Sequence, residues 1–198
     1  MLSRDPRDRI LVAMAEVVAK RGYQGTTIEH IVKRAGVSRA TFYEHFENRE
    51  DCLLAGFADA EKELQRRVAE ASATGEWPDR VQAALTAFID YCASEPALAR
   101  TCLVEAVTAG PVAMERYERA LTSFAPLLRE GRGFLGGAGE LPDDLEDLII
   151  GGIVWMIHQR LLRNEIDEIP ALRPTMLEFA LVPYLGEERA GEVIAAHS

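Results

Sequence analysis

The 198-residue chain has little cysteine, no long apolar run, few aromatic residues and no excess of positive charge. Its three cysteines, Cys52, Cys92 and Cys102, form no CxxC pair and join no histidine at metal-ligand spacing. A disulfide framework and a structural zinc site are therefore excluded, and a reducing, cytoplasmic setting is expected. Such thiols read first as small buried hydrophobes, with redox sensing as the other reading. The longest apolar stretch, Leu148 to Ile157, has ten residues between Asp147 and His158. Crossing a bilayer takes about 20, so it reads as a buried helix and no membrane partner is expected. The first residues, Met1-Leu2-Ser3-Arg4-Asp5-Pro6, lack a secretory signal's apolar run.

Catalytic patterns are missing too. None of the four histidines (His30, His45, His158, His197) stands in a Glu-x-x-His pair, as a di-iron bundle would need. There is no Gly-x-Ser-x-Gly elbow and no nucleotide fingerprint. The glycine-rich stretch Gly131 to Glu140 is followed by no Gly-Lys-Ser/Thr, so it reads as a mobile loop rather than a phosphate cradle. No enzyme, cofactor or metal is expected.

The net charge of −10 is unevenly spread. Residues 1–50 carry 9 Lys/Arg against 7 Asp/Glu, whereas residues 51–198 carry 13 against 25. A mildly basic head on an acidic body suits a protein that meets DNA at one end only. Only 9 prolines and an aliphatic, alanine-rich composition favour helices. Ile10, Met14, Val17 and Val18 form one stripe over 7–21, ending at Gly22. A second, short helix follows, with Ile28, Ile31, Val32 and Ala35 inward and Thr26-x-x-Glu29 as its capping box. Ala35-Gly36-Val37-Ser38 makes a sharp turn, and Ser38 caps a third helix to about Phe46, with Phe42 and Phe46 inward. A long helix then runs from Asn48 to roughly Ala71. Further helices are expected near 79–93, 96–108, 112–131, 143–164 and 171–185, with Pro96, Pro111, Pro142 and Pro170 close to helix starts.

The informative segment is Thr26 to Arg49, TTIEHIVKRAGVSRATFYEHFENR. Two short helices joined by Ala-Gly-Val-Ser lay the second across the first, the arrangement that sends a recognition helix into a major groove. Arg39 has the fork to meet O6 and N7 of a guanine, and Thr41 suits a base edge or a thymine methyl. Tyr43, His45, Arg49 and the Thr27 hydroxyl suit phosphate oxygens.

Gly25-Thr-Thr-x-x-x-Ile31, Ala35-Gly-Val-Ser-Arg-Ala-Thr-Phe-Tyr-Glu-His-Phe46 and Asn48-Arg-Glu-Asp-Cys-Leu53 resemble the N-terminal signature of the TetR family, over about residues 8–55. The resemblance places Thr27, Ser38, Arg39, Ala40, Thr41, Tyr43, His45 and Arg49 at DNA-contact positions. Ala40 stands where glycine is common, Glu44 puts an acid where many members have a neutral or basic residue, and Arg49 replaces a common lysine. It implies an all-α chain of about nine helices: a three-helix helix-turn-helix head at 1–50, then a larger effector-binding and dimerisation domain at 51–198. The function it implies is a ligand-responsive regulator, a repressor that binds a palindromic operator as a homodimer and is released by a small, largely hydrophobic effector. The alternative is a helical ligand-binding or interaction module without DNA binding. Candidates for the effector pocket are Phe88, Tyr91, Cys92, Cys102, Met114, Tyr117, Phe124, Trp155 and His158, each of which also suits a packed core. Candidates for the dimer interface are Ile149, Gly152, Ile153, Met156, Leu177, Leu181 and Tyr184, on two helices apolar enough to be buried on two sides.

Overall fold

Asp5 and Pro6 start the first helix in complementary ways. The Asp5 carboxylate accepts the N–H of Arg7 at 2.9 Å, and Pro6 fills a position whose N–H would have no helical acceptor. The computed structural model describes residues 5–134 and 141–196, and every regular element among them is helical. In chain order these are α1 (Pro6–Arg21), α2 (Ile28–Ala35), α3 (Arg39–His45), α4 (Arg49–Ala71) and α5 (Trp77–Ser94). Next, α6 (Pro96–Arg100) and α7 (Ala106–Ala109) are joined by a π turn, Thr101–Glu105. Then come α8 (Pro111–Thr122), α9 (Ala125–Arg129), α10 (Leu145–Arg163), α11 (Arg173–Leu185) and α12 (Glu187–Ala195). The expected all-α class is the observed one, with twelve α-helical segments among the described residues rather than about nine.

The extra segments have local causes. The helix expected over 112–131 breaks after Thr122, because Pro126 has no N–H to offer the Thr122 carbonyl. Thr122 and Ser123 also turn their hydroxyls back onto the carbonyls of Arg119 and Ala120. Beyond α11, Gly186 adopts φ 76° and separates off α12, which has no counterpart in the sequence reading. Gly131, read as the start of a mobile loop, is buried in a 3-10 turn, Glu130–Phe134, under the Trp77 ring. A Cβ there would fall 2.3 Å from a Trp77 carbon, so only glycine fits. Positions 135–140 of that stretch lie outside the described residues.

The chain forms two compact units. The first takes residues up to Glu63 together with Glu95–Tyr117. Its core joins Ile10, Met14 and Val18 of α1, Ile31 of α2, Phe42 of α3, Leu53 and Phe57 of α4, and Ala106, Ala109 and Ala113. The unit holding the three N-terminal helices is thus larger than residues 1–50. The second takes Leu64–Ser94 and the chain from Glu118 onward. There the Trp77 indole packs on Phe134 and Tyr184 and donates to the Leu127 carbonyl at 2.7 Å. Glu146, 1% exposed, is gripped through both oxygens by Arg132 at 2.8 and 2.9 Å and accepts from the Tyr184 hydroxyl at 2.9 Å. Arg132 also donates to the Pro142 carbonyl at 2.6 Å, and so ties the two sides of residues 135–140 together.

Candidate DNA-binding head

Helix α2 opens on Thr27, whose hydroxyl accepts the N–H of His30 while His30 Nδ1 accepts the N–H of Thr27, both at 3.3 Å. The capping box is therefore Thr27 with His30, one residue later than the sequence pattern suggested. Thr26 is fully buried, and its hydroxyl turns back to donate to the Gly22 carbonyl at 2.8 Å rather than capping α2. Helix α2 ends at Gly36, which takes φ 64° and ψ 41°, a left-handed conformation that costs glycine little. Arg9 Nη2 reaches the turn from α1 and donates to the Ala35 and Gly36 carbonyls at 2.5 and 2.8 Å. These are carbonyls that a helix end leaves unpaired.

Ser38 starts α3. Its Oγ accepts the Thr41 N–H at 2.9 Å and lies 2.9 Å from the Thr41 hydroxyl. Phe42 (0% exposed) and Phe46 (3%) anchor α3 in the core of the first unit. That leaves Ser38, Arg39, Ala40, Tyr43, Glu44 and His45 exposed and Thr41 half-buried. Arg39, Ala40, Tyr43 and Glu44 follow the i, i+1, i+4, i+5 pattern of a single helix face. Thr27 is exposed at the N-terminus of α2, a helix end of the kind that takes phosphates. Arg49 is placed differently from the other candidates. Its Nη1 donates to the Tyr23 carbonyl at 3.0 Å and to the Thr26 carbonyl, and its guanidinium lies 4.1 Å from the Tyr23 ring centroid. Sequence spacing offered no sign of this packing.

The body residues separate. Cys102, Met114 and Tyr117 fall in the first unit, with Cys102 and Tyr117 packed against the core of the head. Phe88, Tyr91, Cys92, Phe124, Trp155 and His158 fall in the second. There Phe88 meets Phe124 at 6.4 Å between ring centroids, and Tyr91 and Cys92 are buried. Trp155 is 61% exposed and stacks on His158, so it belongs to the surface rather than to an enclosed pocket. A groove of about 520 Å³ on the second unit is lined by Ala71, Thr74, Asp79, Gln82, Ala83, Thr86, Ala87 and Asp90, none of them among the nine residues expected to line a pocket.

The dimer candidates divide by burial. Ile149, Ile153, Leu177, Leu181 and Tyr184 are all below 9% exposed within the single chain. They are packed mainly within the chain itself. Gly152 serves contact inside the chain, since a Cβ there would come 2.8 Å from the Phe179 ring, and Met156 is half-buried. The apolar side chains left open on these helices are Leu148, Trp155 and Leu162 of α10 and Phe179 of α11. Leu148, Gly151, Trp155 and Leu162 repeat at three, four and seven residues, along one stripe. Among the described residues no helix is long and apolar enough to cross a membrane, and no group of His, Cys, Asp and Glu is arranged to hold a metal.

The fold as a whole is similar to that of the fatty acid degradation regulator FadR of Bacillus halodurans. The TM-score is 0.79 at 20% identity, over 91% of this chain and 97% of that one. It is also similar to FadR of Bacillus subtilis, solved in complex with stearoyl-CoA, with a TM-score of 0.72 at 21% identity over 91% and 98% of the two chains. Residues 10–55 match the family model for bacterial regulatory proteins, tetR family. The N-terminal segment carries the signature of the TetR family. The matched segment spans α1 to the start of α4 and includes the Gly36 turn and all of α3, so the TetR-family signature and the capped helix-turn-helix coincide. The transcriptional activator FasR of Mycolicibacterium smegmatis is 34% identical over 94 residues, which is 45% of this chain and 43% of that relative. The chain thus aligns with less than half of that relative's length.

Proposed function

We propose that this chain is a ligand-responsive transcription regulator that binds a palindromic operator as a homodimer. The observation that carries the proposal is the exposed face of α3, where Arg39, Ala40, Tyr43 and Glu44 stand over a helix locked from beneath by Phe42 and Phe46. In this reading Arg39 and Thr41 read base edges, while Ser38, Tyr43, His45 and the amides behind Thr27 hold phosphates. Arg49 orders the loop in front of α2 and leaves its remaining donors for the backbone. Two heads are needed because one short helix reads only a half-site, and a two-fold protein matches a palindrome. The dimer pairs the stripe of Leu148, Gly151, Trp155 and Leu162 on α10, with Phe179 of α11, against its copy. The residues up to about Glu50 serve as the DNA head and the rest as the effector-binding and pairing domain. A largely hydrophobic effector releases the operator by favouring a dimer whose heads no longer match it, which makes the protein a repressor. Long-chain acyl-CoA is the first effector to test, because the structural neighbour from Bacillus subtilis was solved with stearoyl-CoA.

The test is selection from a random duplex pool at moderate salt, followed by titration of stearoyl-CoA onto the complex. Enrichment of one palindrome, and its release by the acyl-CoA, is the expected result. A folded dimer that enriches no sequence would leave a ligand-binding module without DNA binding.

A further inference from the structure

The peptide unit of Tyr23 is held from both sides. Its N–H donates to Glu105 Oε2 at 2.9 Å, and its carbonyl accepts from Arg49 Nη1 at 3.0 Å. Arg49 opens α4, whereas Glu105 is the last residue of the π turn between α6 and α7. Further contacts join these segments within the same compact unit. Gln24 Nε2 donates to the Thr108 carbonyl at 2.8 Å, and the buried Thr101 hydroxyl lies 3.3 Å from the Ala15 carbonyl. Gly22 turns the chain toward Glu105 at φ 70°, a conformation that an L side chain rarely adopts.

The clamped loop leads directly into the proposed DNA surface. Thr26 is buried with its carbonyl on Arg49, and the next residue, Thr27, caps α2. A displaced Tyr23 peptide would therefore move Thr27 and the first amides of α2. Helix α1 does not attract Glu105, because a helix C-terminus carries partial negative charge. What holds the carboxylate is the directed bond from the Tyr23 N–H, strengthened by the acceptor's charge. Glu105 stands at the end of the π turn. A π turn holds about one more residue than an α turn, so its conversion to α geometry would rotate the side chains beyond it by about 100°.

The geometry assigns Glu105 as a positioning residue for DNA binding: through the Tyr23 N–H it fixes the loop that sets Thr27 and the N-terminus of α2. This rests on the DNA-binding reading above. The test compares Glu105→Ala with Glu105→Gln, which keeps an acceptor oxygen, on the duplex recovered by selection. Affinity is read by fluorescence anisotropy, and exchange of the Tyr23 amide and thermal unfolding are followed alongside. Glu105→Ala is expected to weaken binding about tenfold, with faster Tyr23 exchange, while Glu105→Gln stays within about threefold of the parent with Tyr23 protected. Parent-like affinity in Glu105→Ala would overturn the assignment. So would equal losses in both variants that track a lowered melting temperature, since general packing would then explain them. If the parent binds no duplex at all, the DNA-binding reading fails and this inference with it. An affected variant beside a binding parent cannot be confused with that result.

Discussion

Glu146 keeps a charge where almost no water reaches it, and it does so because Arg132 and Tyr184 supply three donors to its two oxygens. The Arg132 guanidinium, its largest influence, holds its carboxyl below the usual carboxylate range, against the upward push of burial. A carboxyl lowered in the folded state supports the fold above its unfolded value, and that support is lost as pH falls through the lower, folded value. In Glu146→Gln the carboxylate is gone and Arg132 loses its counter-charge. The stability gap between parent and variant, read from urea midpoints, is therefore expected to be widest near neutrality and to narrow below about pH 4. A gap that stays constant across pH would contradict it. Burial acts without such help on the thiols of Cys52 and Cys102 and pushes both up to about 12. Both thiols then favour the protonated form at neutral pH, which suits packing as small hydrophobes, Cys52 buried and Cys102 half-buried.

At the scale of the element, α10 shows why some features were legible in the sequence and others were not. The head was readable because its signals are local: Gly36 marks the turn, Ser38 caps α3, and Phe42 with Phe46 names the inward face. In α10 the apolar residues run nearly all round, and periodicity then gives no direction. Which side is covered depends on α11, a neighbour whose contact was not encoded within α10 itself. The reading accordingly chose Ile149 and Ile153, which face the chain's own core, over Leu148 and Leu162, which do not. The open face makes its own prediction. Charged substitution of Leu148 and Trp155 to Glu is expected to yield folded monomers in sedimentation velocity, with helix content unchanged by circular dichroism. Ile153→Ala, by contrast, opens a cavity costing about 2–5 kcal/mol without removing any pairing surface. A double variant that remained dimeric would move the interface elsewhere.

For the molecule as a whole, net charge and DNA binding pull in opposite directions. A chain at −10 binds a polyanion only if its few cations are gathered, and residues 1–50 hold 9 Lys/Arg against 7 Asp/Glu. Arg7 and Arg34 are paired with Asp59 and Glu16, which leaves fewer cations for phosphate than the count suggests. Even so, each phosphate neutralised by the head releases counterions, so log affinity should fall by about 0.9 per contact for each tenfold rise in salt. A steep salt dependence is expected despite the acidic total, and a flat one would argue against the DNA reading. Contacts between distant residues were the least legible part of the chain. Tyr23 and Glu105 lie 82 residues apart, and neither residue's neighbours in sequence announce the other. Nor did composition show that Glu95–Tyr117 shares a core with the N-terminal helices, because its alanines read equally well in any helical bundle.

The two tryptophans give the chain optical reporters in opposite surroundings. Trp77, 4% exposed and bonded through its indole nitrogen to Leu127, lies beyond the reach of a dissolved quencher. Trp155 stands on the proposed pairing stripe, open to solvent and stacked on His158. Light absorbed by one therefore reports on the interior, and light absorbed by the other on whether a second chain has arrived.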